Sequence, residues 1–139
     1  MKNILKIALI PLYTLSFLMM AALPLLAQTE VEISRNIIFE NDSNEENVVI
    51  PVQERGSYLE LRISAEIFEG RIELEIYPPS GGIEWNLTVG NQTESYEGEQ
   101  VTGRINRFLS EPEPGDWTVK LKPENAVGSV QIMTKISGN

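Results

Sequence analysis

The amino-acid sequence predicts an all-β protein: an antiparallel two-sheet β-sandwich of about eight strands, jelly-roll-like, behind an N-terminal signal peptide. Apolar and polar side chains alternate with a period of two along most of the chain after Val31, which is typical of half-buried strands. Turn residues recur at short intervals, and no segment after residue 27 has a helical period. We therefore predict a signal peptide over residues 1–27 and a single β-sandwich domain over residues 28–139.

The first 27 residues have the pattern of a secretory signal peptide. Lys2 and Lys6 precede a long apolar run that ends at Ala27, a small residue suited to cleavage. The expected domain is therefore secreted or periplasmic. An uncleaved membrane anchor is the alternative, because roughly 20 apolar residues can cross a bilayer. Pro11 and Pro24 weaken a helix in that segment and favour cleavage.

The composition excludes several classes of function. The chain has a net charge of −9 at pH 7, so its surface repels phosphate backbones and nucleic-acid binding is not expected. It contains neither histidine nor cysteine, which removes the common zinc sites, the Ser-His-Asp and Cys-His nucleophiles, and disulfide bonds. We therefore predict no catalytic residue and expect the fold to be held by sheet pairing and core packing.

The predicted strands follow one another with short turns. In chain order they lie near residues 31–39, 48–52, 59–67, 72–76, 83–89, 96–108, 117–121 and 130–136. Pro51 predicts a sheet edge or a bulge in the second strand, because proline has no backbone N–H to donate. A bulge near Arg107 is also expected, because Phe108 falls out of phase with Ile105.

The third and fourth predicted strands are expected to form a hairpin. Facing apolar with apolar side chains requires Ile67 opposite Ile72, with a four-residue connection over residues 68–71. In this register Tyr77 lies opposite Arg62 on the outward face. Tyr58, on the same face, is then too far from Tyr77 for the two rings to hold one sugar, about 13 Å along the strand.

The two tryptophans are expected in the core. Trp85 and Trp117 lie in phase with apolar neighbours, so core positions are favoured over an exposed platform for a ligand. Paired carboxylates such as Glu73 and Glu75 are the residue types of glycoside hydrolysis. Outward strand faces of acidic proteins carry many such pairs, however, and nothing in the sequence predicts a pocket that would raise the pKa of one of them.

One polar loop is a candidate metal site. Asp42, Asn44 and Glu46 lie between the first two predicted strands, and calcium prefers carboxylate and amide oxygens on flexible loops. We take these three residues as candidate calcium ligands, with a solvated acidic loop as the alternative. An EF-hand beginning at Asp42 does not fit, because Asn47 stands where that loop needs glycine. No other cofactor is expected.

Three short motifs resemble those of a loose group of extracellular β-sandwiches. They are the turn Pro79-Ser80-Gly81, the turn Gly115-Asp116-Trp117, and a closing strand at residues 128–132. Their spacing over residues 58–136 resembles the bacterial pre-peptidase C-terminal domains, the P domains of proprotein convertases and CUB-like domains. The resemblance implies a β-sandwich that accompanies a protease or another catalytic domain as an accessory.

The function expected from the sequence is therefore that of an exported, non-enzymatic binding or accessory domain. A protein partner in the periplasm or outside the cell is favoured over an extracellular glycan, and loops and an outward sheet face are the expected contact surface. A structural role in envelope assembly is the alternative, with the edge strand at residues 48–52 pairing with a partner. Membrane contact is expected only through an uncleaved signal segment.

Overall fold

The computed structural model describes residues 30–53, 57–90 and 100–138, and all of its regular structure is β-strand. Its strands are β1 (Glu30–Asp42), β2 (Glu46–Val52), β3 (Tyr58–Tyr77), β4 (Trp85–Gly90), β5 (Val101–Ser110) and β6 (Gly115–Ser137). Within these ranges no helix is long and apolar enough to cross a membrane. The predicted signal peptide at residues 1–27 lies outside the described residues.

The two long strands β3 and β6 form the centre of an antiparallel six-stranded sheet. Residues 58–67 of β3 pair with β5 on one side and with residues 128–137 of β6 on the other. Residues 71–77 of β3 pair with β4 and with residues 118–124 of β6. β1 and β2 pair with the opposite side of β6. We call the order β1-β6-β3-β5 the first half-sheet and the order β2-β6-β3-β4 the second half-sheet.

The half-sheets join where β3 and β6 depart from regular pairing. The register shifts on both sides of Glu69, and Gly70 has a φ of 68°. A Cβ at Gly70 would lie 2.2 Å from the carbonyl oxygen of Asn125 in β6, so the close approach of the two backbones requires glycine. The irregularity changes the parity of β3, whose buried side chains are odd-numbered up to Ile67 and even-numbered from Ile72.

This joint corrects the predicted strand count. Two pairs of predicted strands are each one continuous strand, namely 59–67 with 72–76, and 117–121 with 130–136. The predicted hairpin is wrong: Ile67 pairs with Val101 and Gly128 rather than with Ile72. The residues that the sequence marks as turns lie at irregularities inside strands, where the chain continues instead of reversing.

Two further strand predictions have opposite outcomes. β2 pairs with β6 and with no other strand of the described chain, so Pro51 lies on an edge strand as predicted. The bulge expected near Arg107 is wrong, because β5 keeps an unbroken register with β3 from Val101 to Ser110. Phe108 consequently lies on the outward face of β5 rather than in the core.

One cluster of buried apolar side chains spans both half-sheets. Alternating residues of β3 supply much of it, and they are Leu59, Leu61, Ile63, Ala65, Ile67, Ile72, Leu74 and Ile76. Trp117 is buried and Trp85 packs, half-buried, against the cluster, which agrees with the predicted core positions. The two indole rings stack with their centroids 6.2 Å apart.

β4 and β5 meet although they pair with different parts of β3. A Cβ added to Gly103 of β5 would lie 2.2 Å from Cγ2 of Val89 in β4. Further along the same strands, the guanidinium carbon of Arg107 lies 5.6 Å from the ring centroid of Trp85. The bend at the joint therefore brings β5 of the first half-sheet against β4 of the second.

Candidate functional site

The outward surface of the first half-sheet, which we call the open face, is the strongest candidate for a binding surface. Its side chains come from even-numbered positions of β1, β3 and β5 and from odd-numbered positions of β6, because successive residues of a strand point to opposite sides. Each outward residue of β3 has one neighbour on β5 and one on β6. In that order the neighbours are Ser110 and Ser137 for Tyr58, Phe108 and Lys135 for Glu60, Asn106 and Met133 for Arg62, and Arg104 and Gln131 for Ser64.

An exposed aromatic pair lies at one end of the open face. The rings of Tyr58 and Phe108 stack with their centroids 5.7 Å apart and their planes 24° from parallel. The exposed fraction is 39% for Tyr58 and 67% for Phe108, so both rings keep accessible surface. We missed this pair in the sequence because a bulge was expected to turn Phe108 inward. Unbroken alternation from Val101 to Ser110 was the signal that could have found it.

A shallow groove of about 260 Å³ lies beside the aromatic pair, towards the joint. Its outward lining consists of Arg62, Ser64, Arg104, Asn106, Gln131 and Met133. Arg62 donates from Nε to Oε1 of Glu60 over 2.7 Å. The side chains of Arg104, Asn106 and Gln131 have no hydrogen-bond or ion-pair partner among the described residues, so their donors and acceptors face solvent.

A second depression, of about 170 Å³, adjoins the groove along β6. Glu32, Glu60 and Lys135 line it together with Arg62 and Met133. Lys135 reaches Oε1 of Glu30 at 3.0 Å, and that contact raises the pKa of the Lys135 ammonium. Both cations of this part of the open face are therefore already paired, Arg62 with Glu60 and Lys135 with Glu30, whereas Arg104 in the groove is not paired within the described chain.

The outward surface of the second half-sheet, which we call the closed face, carries ion pairs between β3 and β6. Glu75 lies at its centre, 4% exposed. Its Oε1 lies 2.7 Å from Nζ of Lys122, and its Oε2 accepts a hydrogen bond from the hydroxyl of Tyr77 over 2.5 Å. Beside it, Nε of Arg71 donates to Glu124 over 2.7 Å. Tyr77 therefore pairs with Glu75, and its predicted contact with Arg62 is wrong.

The closed face is poorly suited to acid–base chemistry. The hydrogen bond from Lys122 is the main cause that lowers the pKa of Glu75, and the hydroxyl of Tyr77 adds to it. Glu75 in turn raises the pKa of Tyr77 and of Lys122. A general acid needs a carboxyl whose pKa is raised. The arrangement instead holds Glu75 ionised, and the Glu75–Lys122 ion pair links β3 to β6.

The predicted calcium ligands lie on the connection from β1 to β2. Asp42 ends β1, Glu46 begins β2, and Asn44 lies between them. Oδ1 of Asp42 accepts hydrogen bonds from the backbone N–H of Asn44 over 3.0 Å and from its Nδ2 over 2.9 Å. In residues 30–53, 57–90 and 100–138, no three Asp, Glu, His or Cys side chains are grouped as a metal site. The calcium site stays a prediction.

An apolar cavity of about 200 Å³ lies at the ends of β1 and β6. Val31, Ile33, Pro51, Ser57 and Ile136 contribute to its wall, together with Gln53 and Gly138. Its lining contains no charged side chain among the described residues, so it offers fewer directional contacts to a ligand than the open face. The open face is therefore the better candidate.

Comparison with known proteins gives a fold but no family. No family model and no curated protein matches the sequence. The chain is similar to dimeric latent PorU from Porphyromonas gingivalis, with a TM-score of 0.52 and 12% identity, over 81% of this chain and 13% of PorU. This chain therefore spans only a small part of PorU, and at such low identity the similarity concerns the fold alone.

Two carbohydrate-binding modules match with lower scores. BiXyn10A CBM1 has a TM-score of 0.37 and 17% identity, over 78% of this chain and 72% of that one. The module CBM6cm-2 from Cellvibrio mixtus lichenase 5A has a TM-score of 0.35 and 16% identity, over 82% and 91%. The similar structures are β-sandwich domains, and the specific resemblance to pre-peptidase, P and CUB-like domains stays a prediction.

Proposed function

We propose that the protein is an exported, non-enzymatic binding or accessory domain whose contact surface is the open face. One observation carries this proposal: on the closed face Glu75 is paired with Lys122 and Arg71 with Glu124. On the open face Arg104, Asn106 and Gln131 have no side-chain partner in the described chain. Polar groups and an aromatic pair that remain accessible are available to a ligand.

The two half-sheets act in this proposal as the two layers of a β-sandwich. The contact between Arg107 and Trp85, and the approach of Gly103 to Val89, support packing of the layers with their apolar sides together. Such a scaffold holds the open face rigidly, because each of its side chains stands on a strand paired on at least one side. A rigid surface loses little conformational entropy on binding.

The proposal also includes export of the domain from the cytoplasm. The signal-peptide pattern ending at Ala27 supports a secreted or periplasmic domain that begins at Gln28. N-terminal sequencing of the protein recovered from periplasm and culture medium tests this. A first residue of Gln28 is expected, whereas Met1 on membrane-bound protein would indicate the uncleaved anchor instead.

Retention of envelope components tests the binding function. Immobilised protein is incubated with an envelope extract, and retained proteins and glycans are quantified by mass spectrometry. We expect Arg104→Ala with Phe108→Ala to lose the retained component, while Asn86→Ala, an exposed change on the closed face, keeps it. Equal retention by both variants would contradict the assignment to the open face.

An assembly role is the second candidate, because β2 has only one paired side in the described chain. Val49 on this strand is 51% exposed, and an unprotected edge strand can accept a strand from a partner. Val49→Lys is expected to block such pairing, since lysine on an edge strand is a common protection against it. Oligomers that persist in the Val49→Lys variant, measured by light scattering, would exclude this role.

A further inference from the structure

We infer that the open face binds an acidic polysaccharide, with a sugar ring on the Tyr58–Phe108 pair and a carboxylate at Arg104. The inference rests on the proposed binding function and names the ligand of the same surface. It follows from three features of that surface: the accessible aromatic rings, the charge of the groove, and the distance between them.

The aromatic pair suits a sugar ring better than a protein interface. The face of an aromatic ring carries a partial negative charge, and the C–H groups on one side of a pyranose carry a partial positive charge. The sugar ring therefore stacks on the aromatic ring. A stable protein interface usually needs an apolar, densely packed centre. Phe108 and Tyr58 are instead surrounded by Glu60, Ser110 and Ser137 in the sheet register, which leaves an isolated platform within polar surroundings.

The groove next to the platform favours an anion. Arg62 and Arg104 line it without any carboxylate among its described lining residues, although the whole chain has a net charge of −9. Arg62 is already bonded to Glu60, whereas Arg104 has no partner in the described chain. Glu66 is the nearest carboxylate in the register, one diagonal step away, and forms no ion pair with Arg104. A guanidinium binds a carboxylate through two parallel hydrogen bonds.

The spacing requires a chain of sugars. Phe108 and Arg104 are four residues apart on β5, which is about 13 Å along the strand. One pyranose ring cannot reach both groups. Asn106 lies between them, and Gln131 lies level with Arg104 across β3. Both present planar amides that can donate to and accept from neighbouring hydroxyls. An extended polymer of acidic sugars can stack one ring on the aromatic pair, bind the amides through its hydroxyls, and place a carboxylate at the guanidinium of Arg104.

Two forms of one polymer test the inference. The probes are polygalacturonate and its fully methyl-esterified form, which keeps the sugar backbone and loses the charge. Isothermal titration calorimetry of the purified protein is expected to show binding to polygalacturonate at least tenfold tighter than to the ester. Binding should weaken as salt is raised, because the Arg104 contact is exposed and screened.

Matched variants locate the contact. Phe108→Ala is expected to weaken binding of polygalacturonate at least tenfold. Arg104→Ala should remove most of the preference over the ester, and Arg104→Lys should restore part of it, since lysine keeps the charge but not the bidentate geometry. Thr88→Ala on the closed face should bind as the wild type does. Circular dichroism and the unfolding midpoint establish that each variant is folded.

The outcomes separate the inference from the proposed function. No binding of polygalacturonate, or equal binding of the acid and the ester, would overturn the inference. Retention of an envelope protein that depends on Arg104 and Phe108 would keep the proposed function and overturn the polysaccharide. If the wild-type protein retains no envelope component and does not bind polygalacturonate, both the inference and the proposed function are overturned.

Discussion

The open and closed faces are built on the same two central strands, yet their polar side chains are used in opposite ways. On the closed face, Glu75 binds Lys122 and Tyr77, and Arg71 binds Glu124. On the open face, Arg104 and Gln131 have no partner in the described residues. The difference teaches that ion pairs link the two central strands on the closed face, whereas the open face keeps polar side chains accessible to the ligand that we propose.

The joint between the half-sheets separates the two faces. We therefore expect the largest loss of stability from a substitution at Gly70. Gly70→Ala should lower the free energy of unfolding by more than about 2 kcal/mol, because a Cβ would meet the carbonyl oxygen of Asn125 and φ is positive. Gly81→Ala is the matched control, since Gly81 also has a positive φ but no neighbour within 4 Å of its Cβ position. Urea unfolding measures both, and equal losses would contradict the clash.

Substitutions on the two faces test their different roles directly. Glu75→Ala should cost about 1–2 kcal/mol, because it leaves Lys122 and Tyr77 without their acceptor; partial exposure of Lys122 keeps the loss from being larger. Gln131→Ala on the open face should change stability by less than about 0.5 kcal/mol. Urea unfolding followed by tryptophan fluorescence gives both values. A larger loss for Gln131→Ala would reverse the assignment of the two faces.

The closed face also predicts a dependence of stability on pH. The pKa of Glu75 is lowered in the folded state from an ordinary value of 4.5, so its contribution is complete above that value and is lost as pH falls through the folded pKa. The pKa of Glu124 is lowered as well, chiefly by its hydrogen bond from Arg71. Unfolding midpoints measured between about pH 3 and pH 7 should fall with acid. Glu75→Gln should reduce the change of the unfolding midpoint with pH. An unchanged slope of midpoint against pH would contradict the role of Glu75.

A smaller loss of stability is expected from the contact that links the half-sheets at β4 and β5. Arg107→Ala should lower the free energy of unfolding by about 0.5–1 kcal/mol, the range for an exposed cation–π contact. The emission of Trp85 should change with it, whereas Arg35→Ala, an exposed arginine on β1, should leave the emission unchanged. Identical spectra for the wild type and Arg107→Ala would show that the contact is not formed in solution.

Much of the fold could be predicted from alternation alone. The all-β class, the buried positions of β3 and the core position of Trp117 follow from a period of two. The strand count could not be predicted, because glycine and proline occur both at bulges inside a continuous strand and at turns where the chain reverses. Whether the chain reverses at Gly70 depends on the backbone of Asn125, a partner that is distant in sequence.

The open face was harder to predict than the core. Its residues lie on three strands that the linear sequence separates, and their register follows only from the pairing of β3 with β5 and β6. The predicted bulge near Arg107 places Phe108 on the same side as Ile105, yet Phe108 is 67% exposed. Burial of large apolar side chains is a one-way rule with exposed exceptions, so the size of Phe108 does not predict which face of β5 it occupies.

Backbone amide shifts from a titration with oligogalacturonate test the central claim most directly. If the open face is the binding surface, the largest changes will fall at residues 58–64 of β3 and residues 104–108 of β5, with the closed-face strand β4 unaffected. Changes centred on β2, on β4 or on the loop at residues 42–46 would contradict the account, and no change at any residue would overturn the polysaccharide as the ligand.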